Sequence, residues 1–223
     1  MTAVVGSIAV TALDAALLAL ALGGLPPLLA HPRALALIAV WGVGGLVLAL
    51  IRPVRGHDAI AVASESRLAF VALFLIPLVT PAVAALGERF AVFPWFALAP
   101  IEWAGVAAVA AGLAVRIAAM SRLGSRFAPI VSLQRGHVLE TRGIYSRIRH
   151  PGYLGALLAC TGAMLAFGNA FAFPLVLMFG VLLRLRIRTE EAALEQHFGD
   201  EYRAYRQRTG ALLPRLTGPA GRD

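Results

Sequence analysis

No lysine occurs anywhere in the chain, so arginine carries all of its basic side-chain charge. Lysine Schiff-base chemistry and the lysine of a phosphate-binding loop are excluded at once. Cysteine is nearly absent as well. The one thiol, Cys160, can form neither an internal disulfide nor a cysteine-based zinc site, and its apolar neighbours mark it as inert. Charge is scarce, at 14% of residues against about 25% in soluble domains, while 59% are hydrophobic against about 45–50%. Those departures exclude disorder, a soluble nucleic-acid binder and a small disulfide-stapled secreted fold. What is present is a 223-residue chain with a mean hydropathy of +0.78, a net charge of +8 and a pI near 11.1. Such a pI raises nucleic acid as a partner, but the placement of the arginines points to a membrane.

A hydrocarbon core of about 30 Å needs about 20 apolar residues in a helix. Runs of that kind cover Ala3–Leu22, Ala34–Ile51, Leu68–Leu86 and Trp95–Met120. A last apolar block, from Gly152 to about Ile187, is nearly twice too long for one crossing, and Gly168-Asn169 near its middle is turn chemistry. It reads as a helical hairpin, Pro151–Phe167 and Ala170–Ile187, with arms short enough to fall short of a full crossing. The expected fold is therefore all-α: a polytopic transmembrane helix bundle of about six hydrophobic segments, with a C-terminal hairpin and cytoplasmic amphipathic helices. Leu194, Phe198, Tyr202 and Tyr205 recur at helical spacing, Gly199 interrupts that run, and Asp200 is a candidate cap for the next helix.

Six segments put both termini on one side, with the loops at 52–67 and 121–150. Those regions and the tail from Arg184 hold nearly all loop arginines, whereas the opposite loops hold only Arg33 and Arg89. By the positive-inside rule the arginine-rich side faces the cytoplasm. The composition suggests a bacterial cytoplasmic membrane and a site on its cytoplasmic face. Residues 1–120 contain six arginines and five acids; residues 121–223 contain fourteen and seven. The first part reads as transmembrane scaffold, the second as the catalytic region.

Several polar features have ordinary readings. Asp14 lies inside a span, where an acid is costly and a functional hypothesis by default, yet a hydrogen-bonded interior contact or a water-filled end would explain it. Glu102 and Arg116 fall toward the ends of the fourth span, where snorkelling suffices. Gly42-Val43-Gly44-Gly45 has the flavour of a dinucleotide loop, but the strand–turn–helix unit such a loop needs has no room here. Gly105, Ala108, Ala111 and Gly112 are helix-packing positions.

The stretch from Ser121 to Tyr153 is different. It carries six arginines with His137, Glu140, Tyr145, His150 and Tyr153, and Arg149-His150-Pro151 leads into the hairpin. Proline suits the first helical position, which puts His150 at the cap near the first-turn backbone donors; Gly152 and Gly155 allow a ligand or helix to approach closely. Arg186 and Glu190 share a face at i,i+4 on the second arm. The hairpin makes these two clusters neighbours at the cytoplasmic surface.

Gly143-Ile144-Tyr145, Arg149-His150-Pro151-Gly152-Tyr153-Leu154-Gly155, and Arg188-Thr189-Glu190-Glu191 followed by Phe198-Gly199-Asp200-Glu201-Tyr202 resemble the isoprenylcysteine carboxyl methyltransferase family, membrane enzymes related to the phospholipid N-methyltransferases. The resemblance covers roughly residues 121–215. It implies S-adenosylmethionine as cofactor, bordered by His137, Val138, Leu139, Glu140, Tyr145, His150, Pro151, Gly152, Tyr153 and Glu190. It implies Arg186 toward the methyl acceptor, with Arg186 and His150 as the catalytic pair. No metal and no nucleic acid are expected; the partners are the bilayer and a lipophilic acceptor. An arginine fork suits a carboxylate acceptor, whereas a thiol or amine would need a base, with His150 or Glu140 the first candidates. Two other readings stand beside this one: an NADPH-dependent membrane reductase of the steroid 5α type, and a non-enzymatic scaffold or transporter.

Overall fold

The computed structural model describes residues 2–51, 59–61, 67–123, 132–134 and 139–215. Eight α-helices appear in it: α1 (Thr2–Leu22), α2 (Leu25–Leu29), α3 (Pro32–Leu50), α4 (Arg67–Arg89), α5 (Ala99–Leu123), α6 (Pro151–Leu165), α7 (Phe173–Phe198) and α8 (Asp200–Arg208). Two three-residue strands, β1 (Ala59–Ala61) and β2 (Ser132–Gln134), pair antiparallel with Ile60 opposite Leu133. They are a small addition to an otherwise helical fold.

Helices α1, α3, α4 and α5 are long and apolar enough to cross a membrane. Their outward faces carry exposed Val5, Ile8 and Leu20 on α1, Val43 and Leu50 on α3, and Leu68 and Phe74 on α4. Large side chains left bare on several helices at once are what a lipid-facing bundle requires. The protein is an integral membrane protein. Its four long helices match the four expected spans to within a few residues.

The expected hairpin is present, with two corrections. The turn lies at Gly168-Asn169, where Gly168 takes a φ of 66° and Asn169 is buried, donating to the Ala84 and Phe167 carbonyls. The first arm, α6, has 15 residues, about 22 Å at 1.5 Å per residue, and falls short of a full crossing as expected. The second does not: α7 runs 26 residues, about 39 Å, well past Ile187. Nothing between Arg184 and Phe198 breaks helical hydrogen bonding, so the charged segment extends the apolar one. The helix stops only at Gly199, in the left-handed region with a φ of 54°. Gly199 is also the N-cap of α8, so Asp200 is not the cap; it sits in the first turn and pairs with Arg203 at 2.7 Å.

Helix α6 packs most intimately on α5, through glycines. A Cβ on Gly162 would stand 2.6 Å from the Gly105 carbonyl oxygen, and one on Gly155 would meet the Gly112 carbonyl. Gly105, Ala108 and Gly112 of the fourth span are packing positions, whereas Ala111 is exposed; Gly155 serves a neighbouring helix. This contact holds the start of α6 against the end of α5.

The two ends of the bundle differ in chemistry. At one end Arg33 pairs with Glu88 at 2.6 Å and with Glu102, and His31 lies 3.0 Å from Glu88. Arg89 reaches the Ala21 carbonyl at 3.5 Å. Glu102 is thus an ion-pair partner rather than a snorkelling residue, because the starts of α3 and α5 meet beside the end of α4. The two arginines on the arginine-poor side are both engaged locally. The opposite end gathers the start of α6, the end of α7 and all of α8.

Candidate active site

At that end the segment before α6 is fixed by the tail. Ile148 bridges to Gly210, Arg149 N–H donates to the Gly210 carbonyl at 2.9 Å, and His150 N–H donates to the Ala211 carbonyl at 3.0 Å. The Arg149 guanidinium donates to Glu191 at 2.8 Å, to the Arg206 carbonyl at 3.2 Å and to the Thr209 carbonyl. One side chain thereby ties α7, α8 and the tail to the residue before His150. Helix α8 closes over the site as the amphipathic extension expected: Tyr202 is fully buried, and Tyr205 donates to the Tyr145 carbonyl at 2.6 Å.

His150 is the N-cap of α6, but its side chain makes no capping hydrogen bond. Two carboxylates draw the imidazole instead: Nε2 donates to Glu191 at 3.2 Å, and Nδ1 lies 3.9 Å from Glu190. Stacked on it, 14° from parallel, is the Tyr153 ring. The Tyr153 hydroxyl donates to Glu190 at 2.7 Å and accepts from Arg186 Nε at 2.7 Å. Helix α6 thus contributes His150 and Tyr153 three residues apart on one face, and α7 contributes Arg186 and Glu190 four apart on the face that meets it. A continuous polar chain results: Arg186, Tyr153, Glu190, His150, Glu191, Arg149.

Burial pushes the Glu191 carboxyl upward, but hydrogen bonds from His150 and Arg149 and their positive charge overcome it and hold it down at about 2. A carboxyl depressed below its ordinary 4.5 contributes stability that is fully present above about pH 4.5 and lost as pH falls through 2. Acid unfolding in detergent, followed by near-ultraviolet circular dichroism from about pH 6 to pH 2, is expected to lose stability steeply below about pH 4.5. Glu191→Gln should flatten that slope; an unchanged slope would remove Glu191 from this role.

Arg149, His150, Tyr153, Arg186 and Glu190 border one cavity of about 690 Å³, within the roughly 300–1,000 Å³ of ordinary small-ligand sites; Glu191 braces it from behind. Of the residues singled out from the sequence, Leu139, Glu140, Tyr145, His150, Pro151, Gly152, Tyr153, Arg186 and Glu190 all line it. His137 and Val138 lie outside the described residues. Glu140 accepts from the Arg142 amide at 3.1 Å and faces Arg122 at 3.6 Å. Sequence reasoning missed Arg149, Glu191, Tyr202 and Tyr205, whose signal is faint because they meet only after α8 folds back. It also set aside Arg116, which lines the cavity and donates to the Gly152 carbonyl at 3.3 Å. An arginine inside a span is a functional hypothesis by default, and that signal was present.

The cavity continues between the spans. Its inner walls are Val10 and Asp14 of α1, Trp41 of α3, Leu73, Phe74 and Pro77 of α4, and Phe179 and Leu183 of α7. The N-terminal helices, read from sequence as scaffold, furnish much of this apolar part.

The sequence profile of the isoprenylcysteine carboxyl methyltransferase family matches residues 104–196, from α5 through the polar end of α7. Over that region the chain is similar to this family. Similar proteins include the protein-S-isoprenylcysteine O-methyltransferase of Schizosaccharomyces pombe, 38% identical over 109 residues, or 46% of this chain and 45% of that one. The human protein of the same name is 32% identical over 130 residues, 56% of this chain and 46% of its own length. The probable family enzyme of Oryza sativa subsp. indica is 34% identical over 125 residues, 54% of this chain and 62% of that one. The chain thus spans about half the length of the relatives it matches. Among solved structures, a eukaryotic intramembrane Ras methyltransferase of the family superposes with a TM-score of 0.51 at 22% identity, covering 80% of this chain and 67% of that one. That likeness is one of fold.

Proposed function

We propose that this protein is an integral-membrane methyltransferase that takes its methyl group from S-adenosylmethionine. Its proposed acceptor is a lipophilic carboxylate of the isoprenylcysteine kind. The observation that carries this reading is the Tyr153 hydroxyl, hydrogen-bonded at once to Glu190 and Arg186 on one cavity wall. A carboxylate and a guanidinium held one hydroxyl apart suit, respectively, a cationic donor and an anionic acceptor. The family match supports the same chemistry; neither the reductase nor the scaffold reading is favoured by it.

The donor set fits such a cofactor. The Tyr202 hydroxyl borders the cavity, buried and without a hydrogen-bond partner among the described residues, so a polar ligand atom would satisfy it. Glu190 and Glu140 would hold cationic groups, and Tyr145, Pro151, Gly152 and Leu139 would border the flat base. His137 and Val138 are proposed beside them. S-adenosylmethionine, when bound, supplies an activated methyl group on a positively charged sulfur.

The rest is positioning by the chain itself. Arg186, its guanidinium carbon 5.9 Å from the Tyr153 ring centre, binds the acceptor carboxylate, with Arg116 on the α5 side. The acceptor oxygen is already anionic, so no base is needed and no proton moves. His150, packed on Tyr153 and braced by Glu191, keeps Glu190 in place. The apolar walls exclude water from the reacting groups. Apart from Arg116, residues 121–223 carry these polar contacts, and residues 1–120 furnish most of the greasy wall, joined by Phe179 and Leu183 of α7. The arginine-rich end faces the cytoplasm, following the charge bias.

The test is a pair of binding measurements on detergent-purified protein by calorimetry. S-adenosylhomocysteine is expected to bind and NADPH not to bind. The reverse result would transfer the site to a reductase.

A further inference from the structure

Asp14 is the polar side chain that the proposed reaction does not use. It is 9% exposed on α1 and lines the cavity, yet has no hydrogen-bond or ion-pair partner among the described residues. It lies about 18 Å along α1 from Thr2 at 1.5 Å per residue. Arg116 lies only about 10 Å from Leu123, the end of α5 on the same side, and Tyr153 about 3 Å from Pro151. Asp14 therefore marks the floor of the chamber, deeper than the guanidinium groups, with Trp41 and Pro77 on the same apolar stretch. A carboxyl group placed there by an otherwise apolar helix costs free energy unless something pairs with it. The described residues supply no partner, and the cavity that Asp14 lines is open to a ligand that could.

We propose that Asp14 is a specificity-determining residue of the acceptor chamber, pairing with a hydrogen-bond donor, a hydroxyl or an amine, at the far end of the acceptor chain. The proposal rests on the methyltransferase reading for the identity of the near end, where the carboxylate meets Arg186. It narrows the substrate class to an amphiphile polar at both ends, with an apolar stretch between. Asp14 acts by choosing the acceptor and touches neither the donor nor the reacting oxygen. A site built to bond a hydroxyl rejects the analogue without one, because its own polar group is then left unpaired.

The experiment uses full-length protein in detergent and two probes: N-acetyl-S-farnesylcysteine, and the same molecule with a hydroxyl on the terminal prenyl carbon. Binding of each is followed by ligand-induced shift of the melting temperature and by tryptophan fluorescence, to which cavity-lining Trp41 contributes, and turnover by methyl transfer. The wild type is expected to bind the hydroxylated probe about tenfold or more tightly than the plain one. Asp14→Leu should abolish or reverse that preference, and Asp14→Asn should retain most of it. S-adenosylhomocysteine affinity should be unchanged in both variants, which also reports that they are folded. Equal affinities for the two probes in the wild type, or a preference that survives Asp14→Leu, would overturn the proposal and leave the methyltransferase reading standing. Absence of donor binding and of turnover in the wild type would instead sink that reading, while the probe-binding ratio would still decide Asp14.

Discussion

Replacing Arg186 with alanine is expected to cut methyl transfer to a carboxylate acceptor by about 30-fold to several thousand-fold, corresponding to the roughly 2–5 kcal/mol lost when one partner of a buried charge pair is removed. The affinity for S-adenosylhomocysteine should stay within about threefold, since that ligand carries no acceptor. The physical ground is position: Arg186 is buried in α7, donates to Tyr153, and lies where the polar end of the cavity passes into its apolar length. Arg186→Lys keeps the charge but loses the planar fork, so it should recover only part of the rate. Initial-rate kinetics beside calorimetry decide the matter. Equal loss of donor affinity and turnover in Arg186→Ala would make the residue a support for Glu190 through Tyr153 rather than a contact of the acceptor.

The second large effect is expected at Glu190. Glu190→Gln retains an acceptor for the Tyr153 hydroxyl but removes the charge that would face a cationic donor. Hydrogen bonds to charged groups contribute about 1.5–3 kcal/mol, so donor affinity should fall about 10- to 100-fold. Turnover at saturating donor should fall much less, giving a rise in donor KM with kcat largely kept. Competition between labelled and unlabelled S-adenosylhomocysteine measures the first quantity directly. The wild-type affinity in Glu190→Gln would detach the donor from this carboxylate.

Glu190 and Arg186 stand out in the sequence because they repeat on a helix face and because a turn dipeptide folds their helix back toward His150. Four long spans are legible for a similar reason: lipid demands about 20 apolar residues in each, and composition alone reveals that. The hidden features depend on contacts far apart in sequence. Arg149 looks like any interfacial arginine until Glu191, the Arg206 carbonyl and Thr209 converge on it. Tyr202 reads as one member of an amphipathic stripe, and only the fold buries its hydroxyl at the cavity edge. The length of α7 exceeds its apolar run because hydropathy stops at the charged residues while helical hydrogen bonding continues to Gly199. Glu102 and Arg33, dull in sequence, are partners because the first turns of α3 and α5 meet.

The central claim is that one intramembrane cavity holds a methyl donor at Glu190 and a lipophilic carboxylate at Arg186. Incubation of the purified full chain with methyl-labelled S-adenosylmethionine and N-acetyl-S-farnesylcysteine tests it most directly. The account predicts label in an organic-soluble product that mild base releases as methanol, the behaviour of a methyl ester, and its loss in Arg186→Ala. Label that resists base, as an N- or S-methyl group would, or no transfer to the carboxylate at all, would contradict it.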